Sequence, residues 1–295
     1  MRVFVTGATG FIGSAVVADL IAAGHRVLGL TRSEAGAQAL TALGAEAHRG
    51  SLEDLDSLRS GAAKSDGVIH TAFNHDFSTY VANCEDDRVV IEALGAVLAG
   101  SARPLIITSG TGMGGRLGEL STEEDAPANA ANVPRAASEE AAAAVQARGV
   151  NVSVVRLPQV HDTAKQGLVT YAIDVARETG VSAYIADGAN RWPAAHRFDV
   201  ARLYRLALER GQAGARYNAV AEEGVPMRAI AETIGKRLGL PVKSIGPSAA
   251  PAHFGWMAMF AGGDSPASSA LTRQWLDWEP TGPGLLTDLQ NLQVA

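Results

Sequence analysis

Short apolar runs alternate with alanine-rich stretches of helical spacing along the first half of the chain: RVFVTG, FIGSAVVADLIAAG, HRVLGLTR, EAGAQALTALG and AEAHRG. This order predicts a βαβαβ unit. Further strands are expected in GVIHTAF, PLIITSG and VNVSVVRLP, with helices around residues 79–100 and 134–148. Strands alternating with helices of this length imply a parallel sheet covered on both faces, because each parallel crossover needs a connecting element. After residue 160 the rhythm changes. LVTYAIDVARE, DVARLYRLALE and PMRAIAETIGKRLG read as amphipathic helices and ARYNAV as one more strand. The pattern predicts an α/β fold of two units, with residues 1–160 forming the parallel sheet and 195–222 returning to it. Residues 161–194 and 223–295 would form a smaller C-terminal lobe.

Composition narrows the partners. The 295 residues are 47% hydrophobic and 19% charged, with a net charge of -6. That balance argues against a nucleic-acid or anionic-membrane surface, which calls for clustered Lys and Arg. No apolar run approaches the ~18 residues of a membrane span, and the chain opens directly in a strand-like segment, so a cytoplasmic location is expected. The single cysteine, Cys84, excludes an internal disulfide and a multi-cysteine metal site. No metal site is expected. The acidic clusters EDD at 85–87 and EED at 123–125 read as solvated faces.

Chemistry enters with TGATGFIG, residues 6–13, which follows the first strand and opens the first helix. Gly7, Gly10 and Gly13 permit a tight turn, close approach of backbone to a pyrophosphate, and close helix-on-sheet packing; Thr9, Phe11 and Ile12 complete the loop. The expected fold is therefore a Rossmann-type doubly wound sheet that binds a dinucleotide, with the C-terminal lobe binding substrate. The end of the second strand meets the adenosine ribose. LTRSE places Arg32 and Ser33 there, and a guanidinium suits a 2′-phosphate, so NADP(H) is favoured over NAD(H). An exposed loop arginine is the plain alternative.

TGATGFIG, VIHTAF, IITSG and RLPQVH together resemble the short-chain dehydrogenase/reductase superfamily, in its extended or atypical branch of NAD-dependent epimerase/dehydratase-like proteins. HRFDVARLYRLALE and LTRQWLDWEP resemble that branch's C-terminal segments, so the likeness spans nearly the whole chain. It implies that Ser51 and Leu52 flank the adenine and that Thr71, Ala72 and Phe73 line the middle of the cofactor. Thr108 and Ser109 would approach the nicotinamide ribose, and Leu157, Pro158 and Val160 the carboxamide. It also implies a catalytic Tyr, a Lys four positions on that lowers the phenol's pKa, and a Ser or Thr. Here the Tyr slot falls on Arg135, the Lys slot on Glu139, and the Ser/Thr slot on Gly110 or Thr111. The YxxxK motif is lost.

VPRAASEEAA, residues 133–142, should open a helix with Asn132 as cap and Pro134 in its first turn. Arg135 and Glu139 then form either an exposed i,i+4 ion pair or part of the cofactor cleft, where Glu139 would accept from ribose hydroxyls. Replacement proton donors are Tyr171 and His161, with Thr111 keeping a hydroxyl available; a pocket wall and a backbone-bonded histidine are their plain readings. Residues 183–199, with Tyr184, Trp192, His196 and Arg197, form either an aromatic substrate pocket or an ordered loop anchored by Trp192, with Asp199 capping the next helix. Trp256, Trp275 and Trp278 suit a lid, a partner face or core packing. Three functions fit: an NADPH-dependent oxidoreductase of a small carbonyl or imine compound, a non-catalytic NADP-binding regulator, or a nucleotide-sugar epimerase or dehydratase. The partner is a small-molecule substrate, with a homodimer as one option for assembly.

Overall fold

The structure, a computed structural model, describes residues 1–115 and 118–293. The first half runs β1 (Arg2–Thr6), α1 (Phe11–Ala22), β2 (Arg26–Thr31), α2 (Glu34–Ala42), β3 (Glu46–Arg49), α3 (Leu55–Ala63), β4 (Gly67–His70), α4 (Tyr80–Leu98), β5 (Pro104–Gly110), α5 (Ala137–Gln146) and β6 (Asn151–Leu157). It continues through β7 (Gln159–His161), α6 (Val169–Thr179), β8 (Ser182–Ile185), β9 (Arg191–His196), α7 (Arg197–Arg210), β10 (Arg216–Asn218), β11 (Glu222–Pro226), α8 (Met227–Leu238), β12 (Val242–Ile245), α9 (Ala250–Phe254), α10 (Ala258–Ala261), α11 (Ala270–Leu276) and α12 (Leu285–Gln290).

Seven strands form one parallel sheet in the order β10-β6-β5-β4-β1-β2-β3. Strand order reverses between β1 and β4, which opens a crevice beyond their carboxyl ends. Side chains along a strand alternate between faces. Val3 and Val5 accordingly join a core with Val16 and Leu20 of α1 and Leu203 and Tyr204 of α7. Phe4, between them, joins the opposite core with Leu58 of α3 and Leu94 of α4. With both faces covered, β1 and β4 read as continuous apolar runs.

Several segments depart from the sequence pattern. Residues 183–199 contain strands: β9 joins β7 and β11 in a three-stranded sheet, and β8 pairs with β12. Trp192 is buried and its indole N–H donates to the Gly263 carbonyl at 3.2 Å, so it anchors the fold. Asp199 does not cap α7; that cap is His196, whose Nδ1 accepts from the Phe198 N–H. The buried Asp199 carboxylate instead accepts from the Thr281 and Gly282 N–H groups at 2.9 and 2.7 Å. Asn132 caps nothing, because a 3-10 turn over Pro134–Ala136 leads into α5 without a side-chain cap. Of the acidic clusters, Asp87 and Glu123 are buried, and Glu123 accepts from both the N–H and hydroxyl of Thr272. Among the described residues no helix is long and apolar enough to cross a membrane.

Candidate functional site

The β1–α1 turn is built from glycine for steric reasons. Gly7 has φ +67°, and a Cβ there would stand 2.8 Å from the Ala72 nitrogen and the Thr71 hydroxyl. A Cβ on Gly13 would stand 2.0 Å from the Gly7 carbonyl. The Gly10 N–H closes the turn on that same carbonyl at 2.8 Å. No side chain caps α1 and no acidic residue lies in its first turn, so the N–H groups near Phe11 and Ile12 remain for an anion. Thr9 is exposed beside them.

At the end of β2, Arg32 is exposed and makes no hydrogen bond or ion pair among the described residues. Ser33 caps α2, accepting from the Gly36 N–H at 3.0 Å. β3 brings Arg49 opposite Thr31, within 3.8 Å of Glu34. Ser51 hydrogen-bonds Glu53 and lowers its pKa. Leu52 then opens a cleft of about 220 Å³ that Leu55, Phe73, Asn83 and Val90 also line. Thr71 donates from its hydroxyl to the Thr6 carbonyl at 2.8 Å, and the Ala72 N–H reaches the Thr6 hydroxyl at 3.3 Å, fixing the turn that follows β4. These residues converge on one crevice. Its glycine cradle, uncapped helix end and free arginine fit a dinucleotide.

The centre of the crevice differs from expectation. Arg135 and Glu139 do not pair with each other. Arg135 donates to Asp87 of α4 at 2.8 Å, to the Ser138 hydroxyl and to the Thr108 carbonyl at 2.9 Å, and its guanidinium lies 4.2 Å above the Phe73 ring. Asp87 is buried and also meets His70 Nε2 at 2.8 Å, while His70 Nδ1 meets the Thr6 hydroxyl at 2.6 Å. Burial alone would raise the Asp87 pKa. The charges of Arg135 and His70 outweigh it and hold the carboxyl well below the usual carboxylate range.

Glu139 is also buried, and both its oxygens accept from Arg156 at 2.8 Å; Arg216 adds a bond of 3.1 Å. Its expected contact with a ribose is overturned, because its acceptors are spent inside the protein. The Thr108 hydroxyl is likewise turned away, donating to the His70 carbonyl and meeting the Tyr204 hydroxyl at 2.6 Å. Ser109 beside it differs. Its buried Oγ has no partner among the described residues, so a ligand hydroxyl or amide could satisfy it.

Of the expected proton donors, Thr111 is buried directly after β5, with its hydroxyl 3.5 Å from the Leu157 carbonyl. Leu157 and Pro158 are half-buried between β6 and β7, and Val160 is buried where β7 pairs with Ala195. His161 is fully buried and its Nδ1 meets Asp288 of α12 at 2.7 Å. Burial lowers its pKa more than Asp288 raises it. It ties β7 to the C-terminal helix. Tyr171 packs among aromatic rings, 5.0 Å from Trp256 and 6.1 Å from Phe77.

A different histidine lies in the exposed loop after β4, against Phe73. His75, in the β4–α4 connection, holds Nδ1 3.1 Å from the Phe73 carbonyl and its ring edge-on to Phe73 at 5.2 Å. It keeps an edge open to solvent, yet partial desolvation lowers its pKa, with Lys165 and Arg135 adding to the shift. The sequence signal was a histidine just past the carboxyl end of a strand in TAFNHDF.

Comparison with known proteins gives relatives and neighbours for this arrangement. Residues 3–220 match the model of the NAD dependent epimerase/dehydratase family. An uncharacterized protein of Schizosaccharomyces pombe is 50% identical over 291 residues, covering 98% of each chain. An uncharacterized protein of Saccharomyces cerevisiae is 41% identical over 293 residues, again covering 98% of each. Among solved structures, a dTDP-glucose 4,6-dehydratase from Streptomyces venezuelae with NAD and TYD bound superimposes with a TM-score of 0.78 at 19% identity, covering 99% of this chain and 96% of that one.

Proposed function

Since the chain belongs to the NAD dependent epimerase/dehydratase family, we propose that it is an NADP(H)-dependent oxidoreductase that reduces a carbonyl or imine of a small organic substrate. The observation that carries the reading is Arg32, exposed at the end of β2 beside the glycine cradle of Gly7, Gly10 and Gly13, its charge acting on Glu53 but hydrogen-bonding no carboxylate among the described residues. That corner offers a guanidinium to a 2′-phosphate where an NAD-selective site would present an acid.

Nicotinamide, when bound, supplies the hydride. The chain's own residues must supply the rest. α1 holds the pyrophosphate on its free N–H groups, and Ser109 Oγ accepts or donates to the nicotinamide end. Residues 161–194 and 223–295 provide the substrate lobe. The proton falls to His75. Its Nδ1–H is held by the Phe73 carbonyl, so Nε2 is the atom that takes up and delivers a proton. Arg135 does not substitute for the family's tyrosine, because a guanidinium paired with Asp87 does not release a proton near neutral pH.

The nucleotide-sugar reading is supported by the epimerase/dehydratase family model, by a UDP-glucose 4-epimerase of Streptomyces lividans 28% identical over 316 residues, and by the fold shared with the dTDP-glucose 4,6-dehydratase. Arg135 and Glu139 in the Tyr and Lys positions weigh against it. A panel of ketones, aldehydes, quinones and imines with NADPH tests the assignment. Turnover with NADPH, weaker with NADH, and loss of that preference in Arg32→Asp are expected. Tight NADPH binding without oxidation by any panel member would leave a non-catalytic regulator, and an unchanged preference in Arg32→Asp would remove the NADP assignment.

A further inference from the structure

Six of the chain's sixteen aromatic Phe, Tyr and Trp residues gather in one run at the mouth of the crevice. Phe73 stands at the carboxyl end of β4, under Arg135. From it the run passes to Tyr80 at 6.4 Å and on to Phe77, 5.5 Å from Tyr80. Phe77 stacks on Trp256 with centroids 4.4 Å apart and planes 17° from parallel, while Tyr171 and Phe260 close in edge-on. Phe73, Phe77 and Tyr80 come from the dinucleotide-binding half; Tyr171, Trp256 and Phe260 come from the C-terminal lobe. The run therefore spans the cleft.

Tyr171 and Phe260 also pack on the C-terminal core, but the run does not close over Trp256. Trp256 is 42% exposed and its neighbour Met259 73% exposed, whereas Trp192 and Trp278 are buried. The segment that carries Trp256 is also tethered unevenly. At one end Asn190 and Trp192 donate to the carbonyls of Ala261 and Gly263. At the other, Gly255 has φ +56° and ψ −132°, a conformation held by glycine, with nothing within 4 Å of where a Cβ would stand. Phe254 and Met257 on either side are buried in the C-terminal core, so the freedom at this end belongs to the half-exposed indole of Trp256 and not to the segment.

On these grounds we infer that Phe77 and Trp256 are the two walls of a binding slot for a planar conjugated carbonyl compound, an aromatic ketone or quinone, whose ring inserts between them. The inference rests on the oxidoreductase reading and names the substrate class for the same site. Offset stacking on two aromatic faces selects flat π-systems over sugars. His75 stands edge-on to Phe73, the first ring of the run, at 5.2 Å.

Calorimetric titration of 2-methyl-1,4-naphthoquinone into the protein loaded with NADP⁺, which prevents turnover, tests the slot. Saturable binding is expected, weakened about tenfold by Trp256→Ala and by Phe77→Leu, kept within about twofold by Trp256→Phe, and untouched by Trp275→Ala. NADP⁺ affinity should be equal in all variants. Absence of saturable binding, or binding indifferent to both Trp256→Ala and Phe77→Leu, overturns the inference. Trp256-dependent binding without oxidation of NADPH by the same quinone would sink the oxidoreductase reading and leave the slot; oxidation whose KM ignores Trp256 would do the reverse.

Discussion

Arg135 and Glu139 stand one helical turn apart and spend their charge in opposite directions, which decides what mutation can do at this site. Glu139 is the only anion that both Arg156 and Arg216 bond among the described residues. Restoring the family's lysine with Glu139→Lys would bury a third cation beside those two, and removing one partner of a buried pair already costs about 3–5 kcal/mol. The expected outcome is a loss of at least that size in urea denaturation and no gain of NADPH oxidation, even when combined with Arg135→Tyr. His75 sets the second residue-level expectation. Its pKa lies below the ordinary imidazole value near ~6.5, so the protonated donor is populated only below that lowered pKa. kcat/KM for carbonyl reduction should therefore fall as pH rises through it. In His75→Gln that descending limb should vanish and the rate drop about 10²-fold, the lower end for a positioned proton donor; a pH–rate profile unchanged in that variant would exclude His75.

At the scale of elements, the β1–α1 turn is where geometry is least forgiving. Gly13→Ala would drive a methyl to 2.0 Å from the Gly7 carbonyl, which belongs to backbone and cannot rotate aside. We expect a stability loss of about 1–3 kcal/mol and cofactor affinity weakened about tenfold or more, read by thermal melting and NADPH fluorescence. Gly112→Ala, with nothing within 4 Å of the added carbon, should melt as the parent protein does. The same turn shows why part of the fold was legible in the sequence. Strands buried on both faces announce themselves as unbroken apolar runs, and TGATGFIG carries its own steric demand. β8, β9 and β12 do not, because YIADGANRWPAAH mixes polar and small residues whose pairing is set by distant partners. Asp87 illustrates the same gap within the site. In EDD it looks like its exposed neighbours, yet it is buried against His70, 17 residues back in sequence, and Arg135, 48 residues ahead. Local composition cannot report such pairs. The Tyr and Lys slots could be aligned from sequence, but where their replacements point could not.

The whole molecule is held together by the C-terminal segment closing back over the parallel sheet. Trp278, fully buried, donates to the Asp199 carbonyl at 3.0 Å, and the Asp199 carboxylate accepts from Thr281 and Gly282 while also meeting Arg202 at 3.0 Å. His161 and Asp288 join β7 to α12 on the same side. Asp199 thus sits where α7, packed on α1 under the cofactor turn, meets the tail that completes the substrate lobe. Asp199→Ala would free the Thr281 and Gly282 N–H groups and Arg202, at a cost of about 1.5–3 kcal/mol, the usual worth of hydrogen bonds to a charged acceptor. The loss should be local before it is global. Limited proteolysis should cut first between residues 279 and 293, and NADPH affinity, set by β1, α1 and β2, should survive at temperatures where the tail is already open. If cofactor binding and tail protection instead melt together in Asp199→Ala, the tail and the dinucleotide-binding half form one cooperative unit.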